Sequence, residues 1–357
     1  MSAADVNRKE WFSKTTVASR FDSILEMLYP TSVKKWMPST LSQIFREITR
    51  EWSLLPWRGK YQFKSGICPD SSPIEMSLSF TENQESLLRF LTQTYDPSLP
   101  RHQNLRLARL RALNLVKALV NDSTFRWFDV FLKDYDGWKE APKGNFFIWI
   151  GCEALKAQSL KLKIYINPWF SLKYSGFPAI VRAFELCSIG REGLEIGHML
   201  QIIKRLPIII GLDFDKPGLT DLKIYFATRH EAVAKSEKLL EEYGTPKQKK
   251  VWDWIKSVLS LQSTNTENQE IHFAMRFTPH QLFPTVKVNM FCQHFFSSDC
   301  HVVETLREGI KKFGYDLSHV KLLVDTVFNN QLDEKKVDMF NFIGIGESKL
   351  DVYFRPW

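Results

Sequence analysis

Four short stretches pair a charged side chain with a ring or an amide two residues later: Lys163-Ile-Tyr165, Lys223-Ile-Tyr225, Lys287-Val-Asn289 and Asp351-Val-Tyr353. Their first residues, at 163, 223, 287 and 351, are spaced by 60, 64 and 64. On an extended chain, residues two apart share a face, so each stretch sets a charge beside a ring or amide. Several cations in one enclosed space repel each other and are costly to desolvate. They make sense where an anion of several charges comes to sit, and a diphosphate is such an anion. Lysine serves it as a point charge and arginine as a bidentate donor. Tyrosine hydroxyls donate to the same oxygens, while their ring faces attract a cation. Both features together suit allylic prenyl transfer, in which a departing diphosphate leaves a carbocation that water must not reach. A nucleotide would satisfy the same cations, so these residues leave the chemistry open.

The elements that must position these residues repeat with the same period. Each stretch follows another β-like run: "NFFIWIG" (145–151), "LPIIIGLDF" (206–214), "IHFAMRF" (271–277) and "DMFNFIGIG" (338–346). Turn-like segments such as "DKPGLTD" (215–221) separate the two runs, so each unit holds a hairpin. A fifth, earlier hairpin is expected from "KYQFK" (60–64) and "IEMSLSF" (74–80) across "SGICPDSSP". Between hairpins the apolar spacing is helical, as in "ENQESLLRFLTQTY", "LRLARLRALNLVKALV", "FPAIVRAFEL", "HEAVAKSEKLLEEYG", "KKVWDWIKSVLSL" and "HVVETLREGIKKFG". The expected fold is α+β: five α-β-β-α repeats whose ten antiparallel strands close into a barrel, with helices outside and a chamber inside. An open sheet with helices on one face is the alternative. A single domain is expected over 1–357, with N-terminal helices in 1–55. The repeat hairpins lie near 60–80, 145–169, 206–229, 271–293 and 338–357.

Alternation then assigns faces. In "KLKIYIN", Leu162, Ile164 and Ile166 must pack on the helices, which turns Lys163 and Tyr165 inward. The same rule turns Lys223, Tyr225, Lys287, Asn289, Lys349, Asp351, Tyr353, His272, Ala274 and Arg276 inward.

The repeated unit with its basic-x-Tyr strand resembles the aromatic prenyltransferases of the ABBA, or PT-barrel, fold, and among them the bacterial indole branch of the dimethylallyltryptophan synthase family. "SSPIEMSLSF" (71–80) followed by "LLRF" (87–90) is similar to that family's Pro-x-Glu-x-Ser strand with a downstream arginine. The resemblance spans roughly residues 50–357. It implies that Arg89, Lys163, Lys223 and Lys287 bind a prenyl diphosphate, helped by Tyr165, Tyr225 and Tyr353, with Arg276 as a further ligand. Tyr165, Tyr225, Asn289 and Tyr353 would shield the allyl cation, and Glu75 would accept the N–H of an acceptor indole and help remove a proton. Dimethylallyl or geranyl transfer to tryptophan, or to a tryptophan-derived peptide or alkaloid of secondary metabolism, follows, with no cofactor and no need for Mg²⁺. There are departures. Asn289 stands where a tyrosine is common, Asp221 where fungal members have arginine, and Lys349 where they have another tyrosine. "FIWIGCEAL" lacks the lysine that serves as base in C4-prenylating fungal enzymes. Regiochemistry and prenyl length therefore stay open.

Composition narrows the classes. The chain has 357 residues, 44% hydrophobic, 25% charged and 13% aromatic, as expected of a globular protein with a large aromatic interior. The net charge of +8 comes with no basic block, so neither nucleic-acid binding nor a membrane partner is expected, and the partners are small-molecule substrates to a monomer or homodimer. Five scattered cysteines without a CxxC pair indicate a reducing, cytoplasmic location, and no apolar leader or membrane span is expected. No DDxxD-type pair is present. "NDSTFRW" and "DVFLKDYD" read as helix termini, "HFFSSDCH" (294–301) as a loop with a helix cap at Ser298 or Asp299, and "GIGES" (344–348) as a hairpin turn. A phenolic or tyrosine acceptor on the same fold, or a non-catalytic basic repeat protein binding nucleotide or nucleic acid, are the competing readings.

Overall fold

A computed structural model describes residues 16–28, 36–55, 65, 67–68, 72–81, 84–135, 146–154, 160–171, 173–187, 193–216, 218–261, 269–279, 281, 283–315, 320–321, 323–327 and 332–355. Ten strands run in chain order: β1 (Ile74–Thr81), β2 (Gln84–Thr92), β3 (Ile148–Ala154), β4 (Leu160–Ile166), β5 (Ile209–Phe214), β6 (Leu219–Thr228), β7 (Ile271–Phe277), β8 (Thr285–Phe291), β9 (Phe340–Ile345) and β10 (Lys349–Phe354). Each pairs antiparallel with its sequence neighbours, and β1 pairs with β10, so the sheet closes into a barrel. Closure leaves no strand edge unpaired. The expected closed barrel is what forms.

Alternation decides what each strand buries. On β4, Leu162, Ile164 and Ile166 lie in the core between barrel and helices, while Lys163 and Tyr165 turn inward. The helices on the outer surface are α1 (Val17–Leu28), α2 (Trp36–Thr49), α3 (Arg101–Leu119), α4 (Asp122–Lys133), α5 (Phe177–Leu186), α6 (Gly193–Ile203), α7 (Ala232–Tyr243), α8 (Pro246–Val258), α9 (Cys292–Phe295) and α10 (Asp299–Lys312). Local chemistry starts several of them. Asn121 caps α4 by accepting from Thr124 N, and Ser298 caps α10 by accepting from His301 N. Thr245 and Gln248 form a reciprocal capping box on α8, with Pro246 in its first turn. Gln248 also donates to Val286 O at 2.7 Å, which ties α8 to β8. The "GIGES" turn joins β9 to β10, closed by Gly346 N donating to Lys349 O. Among the described residues no helix is long and apolar enough to cross a membrane.

One expectation is corrected. The segment "ENQESLLRFLTQTY" has helical spacing, yet residues 84–92 form β2, the hairpin partner of β1. Its leucines and phenylalanine satisfy both periods. Tertiary packing decides: Phe90 meets Phe21 of α1 and Phe45 of α2 edge-on, at 5.2 and 5.7 Å between centroids, while Arg89 faces inward. The first hairpin is therefore 74–92 rather than 60–80, and the strand expected at 60–64 lies outside the described residues.

β10 makes the seam of the barrel. Removing residues 353–357 deletes Tyr353 and Phe354, which pair with Ser77 and Met76 of β1. This truncation is expected to abolish the cooperative thermal transition followed by circular dichroism. A variant that keeps a sharp transition at the parent temperature would show that closure does not depend on this strand end.

Candidate active site

The inward side chains fall into layers along the barrel axis. β6 presents Asp221, Lys223, Tyr225 and Ala227 in turn, with Arg229 just beyond its end. β7 runs the opposite way and sets Arg276 beside Lys223, Ala274 beside Tyr225 and His272 beside Ala227. The other strands repeat the order: Lys161, Lys163 and Tyr165 on β4, Lys287 and Asn289 on β8, and Lys349, Asp351 and Tyr353 on β10. Above this region opens a cavity of about 560 Å³ lined by Glu75, Trp149, Tyr165, Tyr225, His272, Asn289, Phe342 and Tyr353, among others.

The charged region is a chain of shared carboxylates. Asp213 holds Lys163 at 2.9 Å and Lys223 at 2.5 Å, and Lys163 also meets Glu153 at 2.8 Å. Asp351 takes Arg89 at 2.6 Å and also contacts Lys287 and the Ser79 hydroxyl. Asp221 holds Arg276 at 2.6 Å and Lys161 at 3.4 Å. With Lys349, seven cations thus share four carboxylates, and the positive excess matches a diphosphate monoester, whose fully ionised form is a trianion. The Arg89 guanidinium carbon and the Lys287 ammonium stand 5.6 and 4.7 Å from the centre of the Tyr353 ring.

Small residues make room for these long side chains. Ser77, Gly151, Gly211 and Ala274 sit opposite Arg89, Lys163, Lys223 and Lys287 in register, and Gly344 sits opposite Asn289 and Asp351. A Cβ on Gly344 would come within 2.5 Å of Lys287 Cε and 2.6 Å of Asn289 Oδ1.

Protonation follows from burial against neighbours. Burial alone would raise Asp213, but Lys163, Lys223 and Lys161 hold it well below the usual carboxylate range. Burial disfavours the charge on Lys163, but Asp213 and Glu153 outweigh it and raise the ammonium above its ordinary value. Lys223 goes the other way: burial, with Lys163 adding repulsion, outweighs Asp213 and leaves it at about 7. Burial likewise lowers Lys287 to about 8. Tyr165, Tyr225 and Tyr353 are pushed up chiefly by burial and remain protonated donors. Glu75 is raised to about 7 by burial, against the Asn341 hydrogen bond and the positive field of Lys287 and Arg89.

All ten residues expected in the site face this interior, with two qualifications of place. Arg276 is bound to Asp221 at the end away from the cavity and is 40% exposed. Arg89 is paired with Asp351, while Glu75 accepts from Asn341 Nδ2 at 2.8 Å. Sequence reasoning missed Glu153 and Asp213, whose signal was alternation: each shares the inward face of its strand with a glycine, Gly151 or Gly211. It also missed Asn341. A bulge between Tyr353 and Phe354 puts both Phe340 and Asn341 out of simple alternation, and no local pattern marks it. Trp149 and Phe146, stacked at 3.6 Å, and Phe291 and Phe342, at 5.2 Å, form the aromatic walls of the cavity. The Trp149 Nε1 donor and the Asn289 Oδ1 acceptor are buried there without a hydrogen-bond partner among the described residues. Among the described residues no group of three His, Cys, Asp or Glu side chains is placed to hold a metal ion.

Residues 53–323 match the family described as tryptophan dimethylallyltransferase. No curated protein sequence matches the chain. Among solved structures, it is similar to 6-dimethylallyltryptophan synthase from Micromonospora olivasterospora in complex with DMASPP and Trp, at TM-score 0.77 and 15% identity over 96% of this chain and 98% of that one. The 5-dimethylallyltryptophan synthase from Streptomyces coelicolor gives TM-score 0.70 and 15% identity over 96% and 98%. The NotF prenyltransferase gives TM-score 0.73 and 18% identity over 98% and 95%.

The lysine pattern predicts proton-linked anion binding. Lys223, at about 7 when the chamber is empty, is largely neutral at pH 8 and regains its proton beside a phosphate. Binding of an alkyl diphosphate at pH 8 should therefore take up about one proton at Lys223 and a further fraction at Lys287, seen as a dependence of the calorimetric enthalpy on buffer ionisation, and affinity should fall as pH rises from 6 to 8. Lys223→Met should lower the uptake by about one proton and leave the smaller share of Lys287, which sits at about 8. Uptake unchanged in that variant would assign the shift to another group. Gly344→Ala, by displacing Lys287, should weaken the same binding by about tenfold.

Proposed function

The chain belongs to the tryptophan dimethylallyltransferase family and is a prenyltransferase, and on that premise we propose how its own residues carry out the transfer. The donor is dimethylallyl diphosphate and the acceptor an indole, tryptophan or a tryptophan-derived peptide or alkaloid. The observation that carries this reading is the order of layers: cations, then tyrosine rings, then an apolar cavity with one buried carboxylate, all on one axis.

The donor diphosphate lies among Arg89, Lys163, Lys223 and Lys287, with the hydroxyls of Tyr165, Tyr225 and Tyr353 donating to it and Arg276 adding charge from further away. These cations exchange their carboxylate partners for phosphate oxygens. They provide the stabilisation of the leaving group that a metal ion gives in other diphosphate chemistry, and for this reason Mg²⁺ is not required. The C–O bond breaks with both electrons leaving on the diphosphate. The allyl cation is bordered by the faces of Tyr165, Tyr225 and Tyr353 and by Asn289, in a chamber that excludes water. The indole π-system attacks one end of the allyl cation, and the new C–C bond forms at the expense of ring aromaticity. Loss of the ring proton, which Glu75 helps to accept, restores it.

Glu75 anchors the acceptor. As a carboxylate it accepts the indole N–H, which enriches the ring in electron density as the bond to the cation forms. Asn341 holds one of its oxygens and leaves the other to the ligand. With Glu75 at about 7, the charged form is lost as pH falls through neutrality. We further infer that the whole chain acts as one unit, as a monomer or homodimer, in the cytoplasm, where five free cysteines remain reduced.

The test is an assay in EDTA with dimethylallyl and geranyl diphosphates against tryptophan and a panel of indoles, read by product mass. A gain of one prenyl unit without metal is expected, with kcat/KM for the acceptor rising as pH rises through about 7. Glu75→Gln should lower it by about 100-fold and flatten that rise. Product only with added Mg²⁺, or only with phenolic acceptors, would overturn the reading.

A further inference from the structure

A second cavity, of about 670 Å³, adjoins the first and shares Ile208, Arg229 and Glu270 with it. It opens where β6 ends and where α6 gives way to β5, at the end of the barrel far from the lysine layer. Its chemistry differs from that of the acceptor chamber. Trp169 and Leu206 form apolar walls, 43% and 53% exposed, and Trp169 is fixed by its Nε1 donating to Pro207 O at 3.1 Å. Lys204 and Arg205 bring two cations to it.

Three observations give this annex a ligand. The one carboxylate among its described lining residues, Glu270, is already engaged, with Arg229 at 2.7 Å and with His272 at 2.6 Å. Among the described residues neither Lys204 nor Arg205 has a carboxylate within ion-pair distance, so two adjacent cations face the space unneutralised. Lys204 also holds φ 53, in the left-handed region just after α6. Glycine is the ordinary residue there, and a residue with a Cβ is strained. A lysine at that position brings its charge to the cavity at the expense of backbone strain.

Resting on the reading of the chamber as an indole site, we propose that the annex receives the part of the acceptor that lies beyond the indole, and that this part carries a carboxylate. The acceptor class is then an acidic tryptophan-containing peptide or conjugate. Arg229 and Glu270, at the junction, meet the polar backbone of the tryptophan unit as it leaves the chamber.

Two acceptors that differ by one carboxylate test this: the dipeptide amides Trp-Glu-NH₂ and Trp-Gln-NH₂, measured by equilibrium calorimetry so that the result does not depend on turnover. The wild-type chain should bind the acid about tenfold more tightly, and added salt should shrink the difference, as expected for partly exposed charges. In K204Q/R205Q the acid should fall to the affinity of the amide. Equal affinities in the wild type, or a preference that survives in the double variant, would overturn the annex. Discrimination by binding without any prenylated product would instead leave the annex standing and remove the prenyl-transfer reading.

Discussion

Asp213, buried between Lys163 and Lys223, is the contact on which the chamber depends. A closed barrel that buries lysines inside screens them less than bulk water does, and an uncompensated buried charge is costly. The chain meets this by interleaving carboxylates, Asp213, Glu153, Asp351 and Asp221, so that Arg89, Lys161, Lys163, Lys223, Arg276 and Lys287 each have a carboxylate partner. The arrangement is not neutral. The surplus of positive charge, with Lys223 and Lys287 lowered to about 7 and 8, leaves groups that gain protons and partners when an anion arrives. A chamber saturated with carboxylates would bind no anion, and one without them would drive its lysines neutral.

Geometry supports the same balance. Lysine and tyrosine side chains on one strand need space on the next, and the barrel provides it through Gly151, Gly211, Ala274 and Gly344 opposite or beside them. Serine takes that place on β1, opposite Arg89. The repeat is thus a paired device, in which a bulky charged strand follows one with a small inward residue. The outward faces are predominantly apolar and hold the helices, so inward variation in charge leaves the packing that closes the barrel intact.

Position along the axis separates functions that would interfere if mixed. The anion region lies below the tyrosines, and Glu75 lies above them in a cavity with aromatic walls. Burial raises Glu75 while the lysine field restrains the rise, leaving it near neutrality, where it can accept a proton or a hydrogen bond. Beyond it, Glu270, His272 and Arg229 form a polar junction with the outer annex. Charge, ring and acceptor chemistry are therefore ordered from one end of the barrel to the other.

Much of this was legible in the chain before folding. Alternation is local and has period two, so it assigned Lys163, Tyr165, Lys223, Tyr225, Lys287, Asn289 and Tyr353 to one face, and the 60- to 64-residue spacing exposed the repeat and hence a sheet of hairpins. Helices with a clear apolar stripe, such as α8 and α10, were equally plain. Residues 84–92 were not, because their apolar spacing fits a helix and a strand alike, and only the need of β1 for a partner and the fit of Phe90 against Phe21 and Phe45 selects the strand. Nor could the chain alone reveal that Asp213 would lie between Lys163 and Lys223, or that a bulge would bring Asn341 to Glu75 from 266 residues away. Which face a side chain takes is set by its immediate neighbours. Which charges share that face at contact distance is set by strand register and barrel closure, and these exist only once the chain has met itself.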